Sequence, residues 1–252
     1  MKNFKLIRSA ASNAIDNMAQ DENIYNQYLV DKVGVFRVYR WQGPSFTYGF
    51  SQEPQCQINL AKCRADGIGI AKRITGGGVL FHNDEIAYSF VGHKSEVEQL
   101  PGELVGYRNI CKFLIRFYEL LGLNPKFAID AKNFSQRSEP SEFCSLANEK
   151  YDIVVGEKKI GGNAQKRKKE IIFQHGSIPC SVDWNFVSRY VSFLPNDIAG
   201  YVTTLSDELS LVPQKNILEE KLIEAFADTF GISFINYSHC QESKPLQRIF
   251  SS

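Results

Sequence analysis

Hydrophobic positions recur along this chain with two periods, and segments of each kind follow one another throughout. Ile15, Met18, Ala19, Tyr25 and Tyr28 form an apolar stripe at helical spacing, which predicts a helix capped by Ser12 and running to about Leu29. In VGVFRVYRW the period changes to two, with Val35, Arg37, Tyr39 and Trp41 alternating with Phe36, Val38 and Arg40. That is a strand, ended by Gly43-Pro44 and resumed from Ser45 to Gly49. A short helix from Ala61 to Asp66 precedes a strand from Ile68 to Ile74, and Val79 to Phe81 and Ile86 to Val91 read as two further strands. Leu104, Tyr107, Cys111, Leu114, Ile115, Tyr118 and Leu121 mark the clearest helix, Glu103 to Leu121, stopped by Gly122. Residues 130 to 150 are polar without a period and read as a long loop, a length that in compact domains is functional or disordered. YDIVV and KKIGGNA flank Gly156-Glu157, a two-residue turn that predicts a hairpin, and the strand EIIFQHGSIPC follows. A helix from Ile217 to Phe230, with Leu222, Phe226 and Phe230 on one face, leads into a polar tail. Helices mixed with antiparallel hairpins, and no internal repeat or linker, predict an α+β fold in one domain over residues 1–252.

Composition narrows the class. The 252 residues are 43% hydrophobic and 23% charged, enough to bury one full core. Net charge is +1, so nothing marks a nucleic-acid partner, and any basic surface must be local. No long uninterrupted apolar run suggests a membrane span, and the N-terminus has no secretory apolar segment, so a cytoplasmic location is expected. The six cysteines, at 56, 63, 111, 144, 180 and 240, form no CxxC pair; no metal site is expected, and most should be small buried hydrophobes.

Candidate chemistry lies in three separated motifs. In KRITGGGVLFHNDEIAYSF, Gly76, Gly77 and Gly78 stand between a basic pair and His82. Glycine weakens a strand interior, a cost that is offset where the backbone must lie against a ligand whose polar atoms meet main-chain N–H groups. A glycine-rich hairpin turn is the plainer alternative. The second motif is Lys159-Ile160-Gly161-Gly162-Asn163-Ala164-Gln165. A lysine beside backbone-exposing glycines can polarise a carbonyl or neutralise a phosphate, or be a solvated hairpin lysine. The third is Gln174-His175-Gly176-Ser177; His82 and His175 can equally be hydrogen-bonded structural histidines. The P-loop pattern GxxxxGK[ST] is absent.

The order KRITGGGVLFHNDEIAYS, YDIVVGEKKIGGNAQKR, QHGSI closely resembles the lipoate–protein ligase and octanoyltransferase superfamily, whose catalytic fold also serves biotin–protein ligases. RVYRWQGPSFTYGFSQ resembles that family's tryptophan-containing strand pair and SNAIDNMAQDE its first helix, so the resemblance covers nearly the whole chain. It implies a mixed, largely antiparallel sheet flanked by helices, with a deep groove for a medium-chain acyl group. The implied task is attaching octanoyl or lipoyl groups to a lysine of a lipoyl domain or a glycine cleavage H-type protein.

Two chemistries exist within that family. Ligases activate free lipoate with ATP and Mg; transferases take octanoyl from acyl carrier protein, or from an acylated lipoyl protein, through an enzyme cysteine without a cofactor. Cys144, seven residues before Tyr151, matches the nucleophile position of the cysteine-loop octanoyltransferases, and HNDEIAYS is similar to the transferase version HDDELTYS. No accessory domain of the kind many ligases carry after the catalytic domain is expected, which also favours the transferase. Gly78, Asn83, Lys72 and Ser145 depart toward the ligase or from the usual pattern. The transferase reading is preferred, with the ligase as alternative and a non-catalytic lipoyl-domain binder as a third. On this resemblance the catalytic residues are Cys144 and Lys159. The substrate-binding residues are Arg73, Thr75, Gly76, Gly77, Gly78, His82, Gly161, Gly162, Ala164, Gln165, His175 and Gly176. Alternation along the strand lets only one of Lys158 and Lys159 face the groove. The basic run Lys166, Arg167, Lys168 and Lys169 is expected to steer acidic protein partners.

Overall fold

The computed structural model describes residues 2–98, 103–131, 149–192, 194, 195 and 197–236. Among them the chain forms the expected α+β fold, but its strands make three sheets rather than one. The six-stranded sheet has the order β10 (Gly162–Lys168), β11 (Ile171–Pro179), β6 (Glu85–His93), β2 (Gly34–Tyr39), β1 (Lys2–Arg8), β13 (Ile232–Asn236). Its first four strands pair antiparallel, whereas β1 lies parallel to both neighbours. A four-stranded sheet has the order β12 (Val202–Thr203), β9 (Lys158–Ile160), β8 (Ile153–Val155), β7 (Pro125–Phe127). The third has β3 (Ser45–Tyr48) between β4 (Gly69–Lys72) and β5 (Leu80–His82).

Both faces of β2 are buried, and its alternation explains why. Phe36 and Val38 enter the main core with residues of α5 (Lys112–Leu120) and α8 (Lys215–Phe230), where Phe36 stacks on Phe226 at 4.1 Å. Val35, Arg37 and Tyr39 face α1 (Ala14–Asp31) on the other side. The cap of α1 is Asn13 rather than Ser12: its side chain accepts the Asp16 amide at 2.9 Å. The buried stripe of α1 is Ala14, Asn17, Met18, Asp21, Ile24, Tyr25 and Tyr28, and the expected Ile15 is 67% exposed. Asn17 and Asp21 take core positions because the guanidinium of Arg37 lies opposite, donating to Asn17 Oδ1 and Asp21 Oδ1 at 2.8 Å each.

Two other expectations are corrected. The helix from Glu103 to Leu121 is divided at Cys111 into α4 (Glu103–Ile110) and α5. KKIGGNA, read as one strand, belongs to two sheets: Gly161, at φ 73°, turns the chain from β9 into β10. A side chain there would overlap the Ser177 carbonyl, its Cβ only 2.5 Å from that oxygen. The hairpin at Gly156-Glu157 is present, joining β8 to β9. Short helices α2 (Leu60–Ala65), α3 (Lys94–Val97), α6 (Trp184–Val187) and α7 (Leu205–Glu208) join the larger elements. No helix among the described residues is long and apolar enough to cross a membrane.

Candidate active site

The switch at Gly161 opens a cleft where the sheets meet. Two adjoining cavities share Leu80, Gly162 and Ser177. Lys159, Gly161, Glu85 and Thr203 line one; Arg73, His82, Ala164, His175, Gly176 and Trp41 line the other. Residues from all three sequence motifs thus converge. Thr75, the glycines at 76 to 78 and Gln165 line neither cavity. Thr75 supports the wall from behind, and Gln165 instead joins Gln174 and Arg167. Cys144 lies outside the described residues.

On the lysine side, β9 alternation turns Lys159 inward and leaves Lys158 half-exposed. Lys159 is buried, and its Nζ lies 2.9 Å from Asp152 Oδ2, a carboxylate that also accepts the Glu149 amide at 2.8 Å. A buried ammonium needs such a partner, because an unpaired charge inside is strongly penalised. The lysine is therefore held in place and in the cleft.

The opposite side is built on two buried carboxylate–histidine–threonine relays. In one, Asp21 Oδ2 lies 3.1 Å from His175 Nδ1, and His175 Nε2 lies 2.7 Å from Thr75 Oγ1. Burial pushes the Asp21 carboxyl up, but the His175 hydrogen bond and the Arg37 charge outweigh it and hold the group below 3.8. Burial in turn holds His175 below 6.5, against the pull of Asp21. An ionised Asp21 and a neutral His175 put the proton on Nδ1, so Nε2 accepts from the Thr75 hydroxyl.

In the second relay Glu85 Oε1 is 2.9 Å from His82 Nδ1, and His82 Nε2 is 2.7 Å from Thr47 Oγ1. Arg73 donates to Thr47 Oγ1 at 2.9 Å and to the Gly76 and Gly78 carbonyls at 3.2 and 2.7 Å. Ser177 donates to Glu85 Oε2 at 2.7 Å, and Trp41 stacks on His82 with centroids 3.9 Å apart. Both ring nitrogens of each histidine are engaged within the fold. Arg73 is a brace for the glycine loop. Asp21, Glu85, Thr47 and Asp152 escaped sequence reasoning; the one available signal was a polar Asp21 on an apolar helical stripe.

The glycines divide into two kinds. A Cβ at Gly161 or Gly176 would collide, at Gly176 with Asn163 and Tyr88, so these glycines permit close packing. A Cβ at Gly76 would meet open space, and one at Gly162 only Leu80 Cδ2 at 3.8 Å, so at these positions backbone faces room a ligand could take. The cysteines at 63, 111 and 180 are buried, and burial raises each thiol, that of Cys180 to about 11. None of the three lines the cleft.

The basic run occupies the far end of the β10–β11 hairpin. Lys166 lies over the Tyr25 ring at 4.7 Å and Arg167 pairs with Glu98 at 2.9 Å, leaving Lys168 and Lys169 exposed at the tip. Four residue steps of strand separate Lys168 from the cleft-lining Ala164, roughly 13 Å.

The family model described as the lipoyl protein ligase A/B catalytic domain matches residues 13–231, and the chain belongs to that family. It is 32% identical over 230 residues to an octanoyltransferase LipM of Bacillus anthracis, covering 87% of this chain and 82% of that protein. A crystal structure of lipoate-protein ligase A bound with ATP shares the fold: TM-score 0.77, 22% identity, 96% of this chain and 90% of that one. So does a bi-partite lipoate protein ligase of Thermoplasma acidophilum, studied with its E2 lipoyl domain: TM-score 0.75, 20% identity, coverage 96% and 89%.

Proposed function

We propose that this chain is a cytoplasmic acyltransferase of protein lipoylation. It moves an octanoyl (or lipoyl) group from a carrier-protein thioester to a lysine of a lipoyl domain, through a thioester on Cys144. The observation that carries the reading is a buried, Asp152-anchored Lys159 facing a cleft, in a chain 32% identical to an octanoyltransferase over most of its length. In the first step the Cys144 thiolate attacks the donor carbonyl, the carbon–sulfur bond to the donor breaks, and the donor leaves as a thiolate that takes its proton from solvent. In the second the neutral acceptor amine attacks the enzyme thioester, the amide forms as the amine gives up one proton to solvent, and the Cys144 thiolate is regenerated. Charge develops on the carbonyl oxygen in both steps. The Lys159 ammonium, aided by main-chain N–H groups, is the electrostatic partner for it. Gly162 leaves backbone open in the cleft for the acyl head. This route calls on no nucleotide or metal.

Intact mass after mixing the chain with octanoyl-acyl carrier protein, without ATP, tests the reading. One octanoyl adduct labile to hydroxylamine is expected, and Cys144→Ala should lose both adduct and transfer. If Cys144→Ala instead works normally with ATP and free lipoate, the ATP-dependent ligase reading replaces this one.

A further inference from the structure

A second concave surface lies along α4, α5 and the edge strand β7, apart from the cleft. Four cations line it, Arg108, Lys112, Arg116 and Lys126, against two carboxylates, Glu119 and Asp130. Arg108 is fixed there by Asp130 at 2.6 Å and lies over the Phe127 ring at 5.0 Å. Lys112, Arg116 and Lys126 are exposed and form no ion pair among the described residues. Lys112 and Arg116 stand one helical turn apart, where like charges repel and weaken a helix. The opposite face of α5 buries Phe113, Leu114, Phe117 and Tyr118, so apolar burial there secures the helix without an ion pair from Lys112 or Arg116.

This groove is close to the proposed chemistry. Lys126 pairs in register with Val154, and Val154 with Lys159, so the three form one row across the sheet. Two strand spacings put the Lys126 and Lys159 backbones about 10 Å apart. The hairpin run points along β10 away from the cleft, and half of its residues are engaged inside the fold.

The geometry points to this groove as the docking surface for the acidic carrier protein that presents the acyl thioester, an inference that rests on the transfer reading above. Charge complementarity selects an acidic protein. A donor carries its acyl group on a long flexible arm and can dock beside the cleft, whereas an acceptor lysine on a folded domain must be brought over the cleft itself. Steering by such a surface raises the association rate and weakens with salt.

The test titrates labelled octanoyl-acyl carrier protein into the full chain and into Lys112→Glu/Arg116→Glu. Binding should weaken roughly tenfold and lose most of its salt dependence, with kcat/KM for this donor falling through KM. Lys126→Glu should act in the same direction, and Lys168→Glu/Lys169→Glu should change nothing. Melting temperature and transfer from a small octanoyl thioester should match the parent chain in all three. Unchanged carrier binding in the Lys112/Arg116 variant overturns the proposal. So does a loss that follows the hairpin variant, falls equally on the small thioester, or appears in KM for the acceptor alone. A parent chain that binds carrier through the groove yet transfers from no thioester would sink the transfer reading and leave the docking surface standing.

Discussion

The two sides of the cleft handle buried polarity in opposite ways. On the histidine side, Asp21, His175 and Thr75, and Glu85, His82 and Thr47, saturate one another, and the second relay ends on Arg73 bracing the glycine loop. On the lysine side, the Lys159 ammonium pairs with Asp152 and is carried on a three-residue strand behind a two-residue turn. A closed network rigidifies but leaves its members little capacity for a substrate. An ammonium that lines a cleft beside its carboxylate can also meet charge that develops on a bound group. The histidine side should therefore hold shape, and the lysine side should do chemistry.

The sharpest break of that contrast is Asp21→Ala. It strips Arg37 of its buried carboxylate and His175 of its acceptor, and should cost about 3–5 kcal/mol of stability by urea unfolding. If stability hardly changes while turnover collapses, the division of labour is wrong. Lys159→Ala is the counterpart, expected to lower turnover by roughly 10²–10³-fold, with Lys158→Ala nearly silent. Equal effects from the two lysines would place the wrong one in the cleft.

Glycine replacements sharpen the comparison further. Gly161→Ala meets both a positive φ and the Ser177 carbonyl and should lose roughly 1–3 kcal/mol. Gly162→Ala has room and should keep its melting temperature while obstructing substrate. Matching losses of stability would erase the distinction between packing and ligand-facing glycines.

The smallest effect is on pH. His175 is held below 6.5 by burial, so as pH falls beneath that value the unfolded chain binds a proton that the folded chain refuses, and stability declines until the folded value is reached. Asp21, held below 3.8, contributes stability above that value, which is lost as pH falls through its folded one. Between pH 7.5 and 5.5 the unfolding free energy from urea titration should drop, by at most about 1.4 kcal/mol per pH unit for one proton. His175→Gln should start lower and run flatter; an equally steep curve would assign the slope to another group.

Local pattern carried most of the central elements. Alternation marked β2, the 3.6 period marked α1 and α8, and Gly156-Glu157 marked its hairpin, because each follows from near-neighbour geometry. β1 and β13 gave no such signal: Lys2–Arg8 is short and lysine-bearing, and it becomes a strand by lying parallel between β2 and a segment more than two hundred residues away. The split of KKIGGNA between two sheets was equally hidden, since alternation continues in sequence while Gly161 changes the partner.

The site divides along the same line. Residue types and order alone brought out Lys159, the glycine loop and both histidines, and the resemblance they carry named the family to which the chain belongs. Only the folded chain decided what surrounds each of them. Asp152 reaches Lys159 across a hairpin, Asp21 meets His175 over a separation of 154 residues, and Arg73 turns back to brace its own loop. Spacing along a chain records which side chains share a face. Which charge satisfies a buried partner depends on approaches in space that no local period encodes.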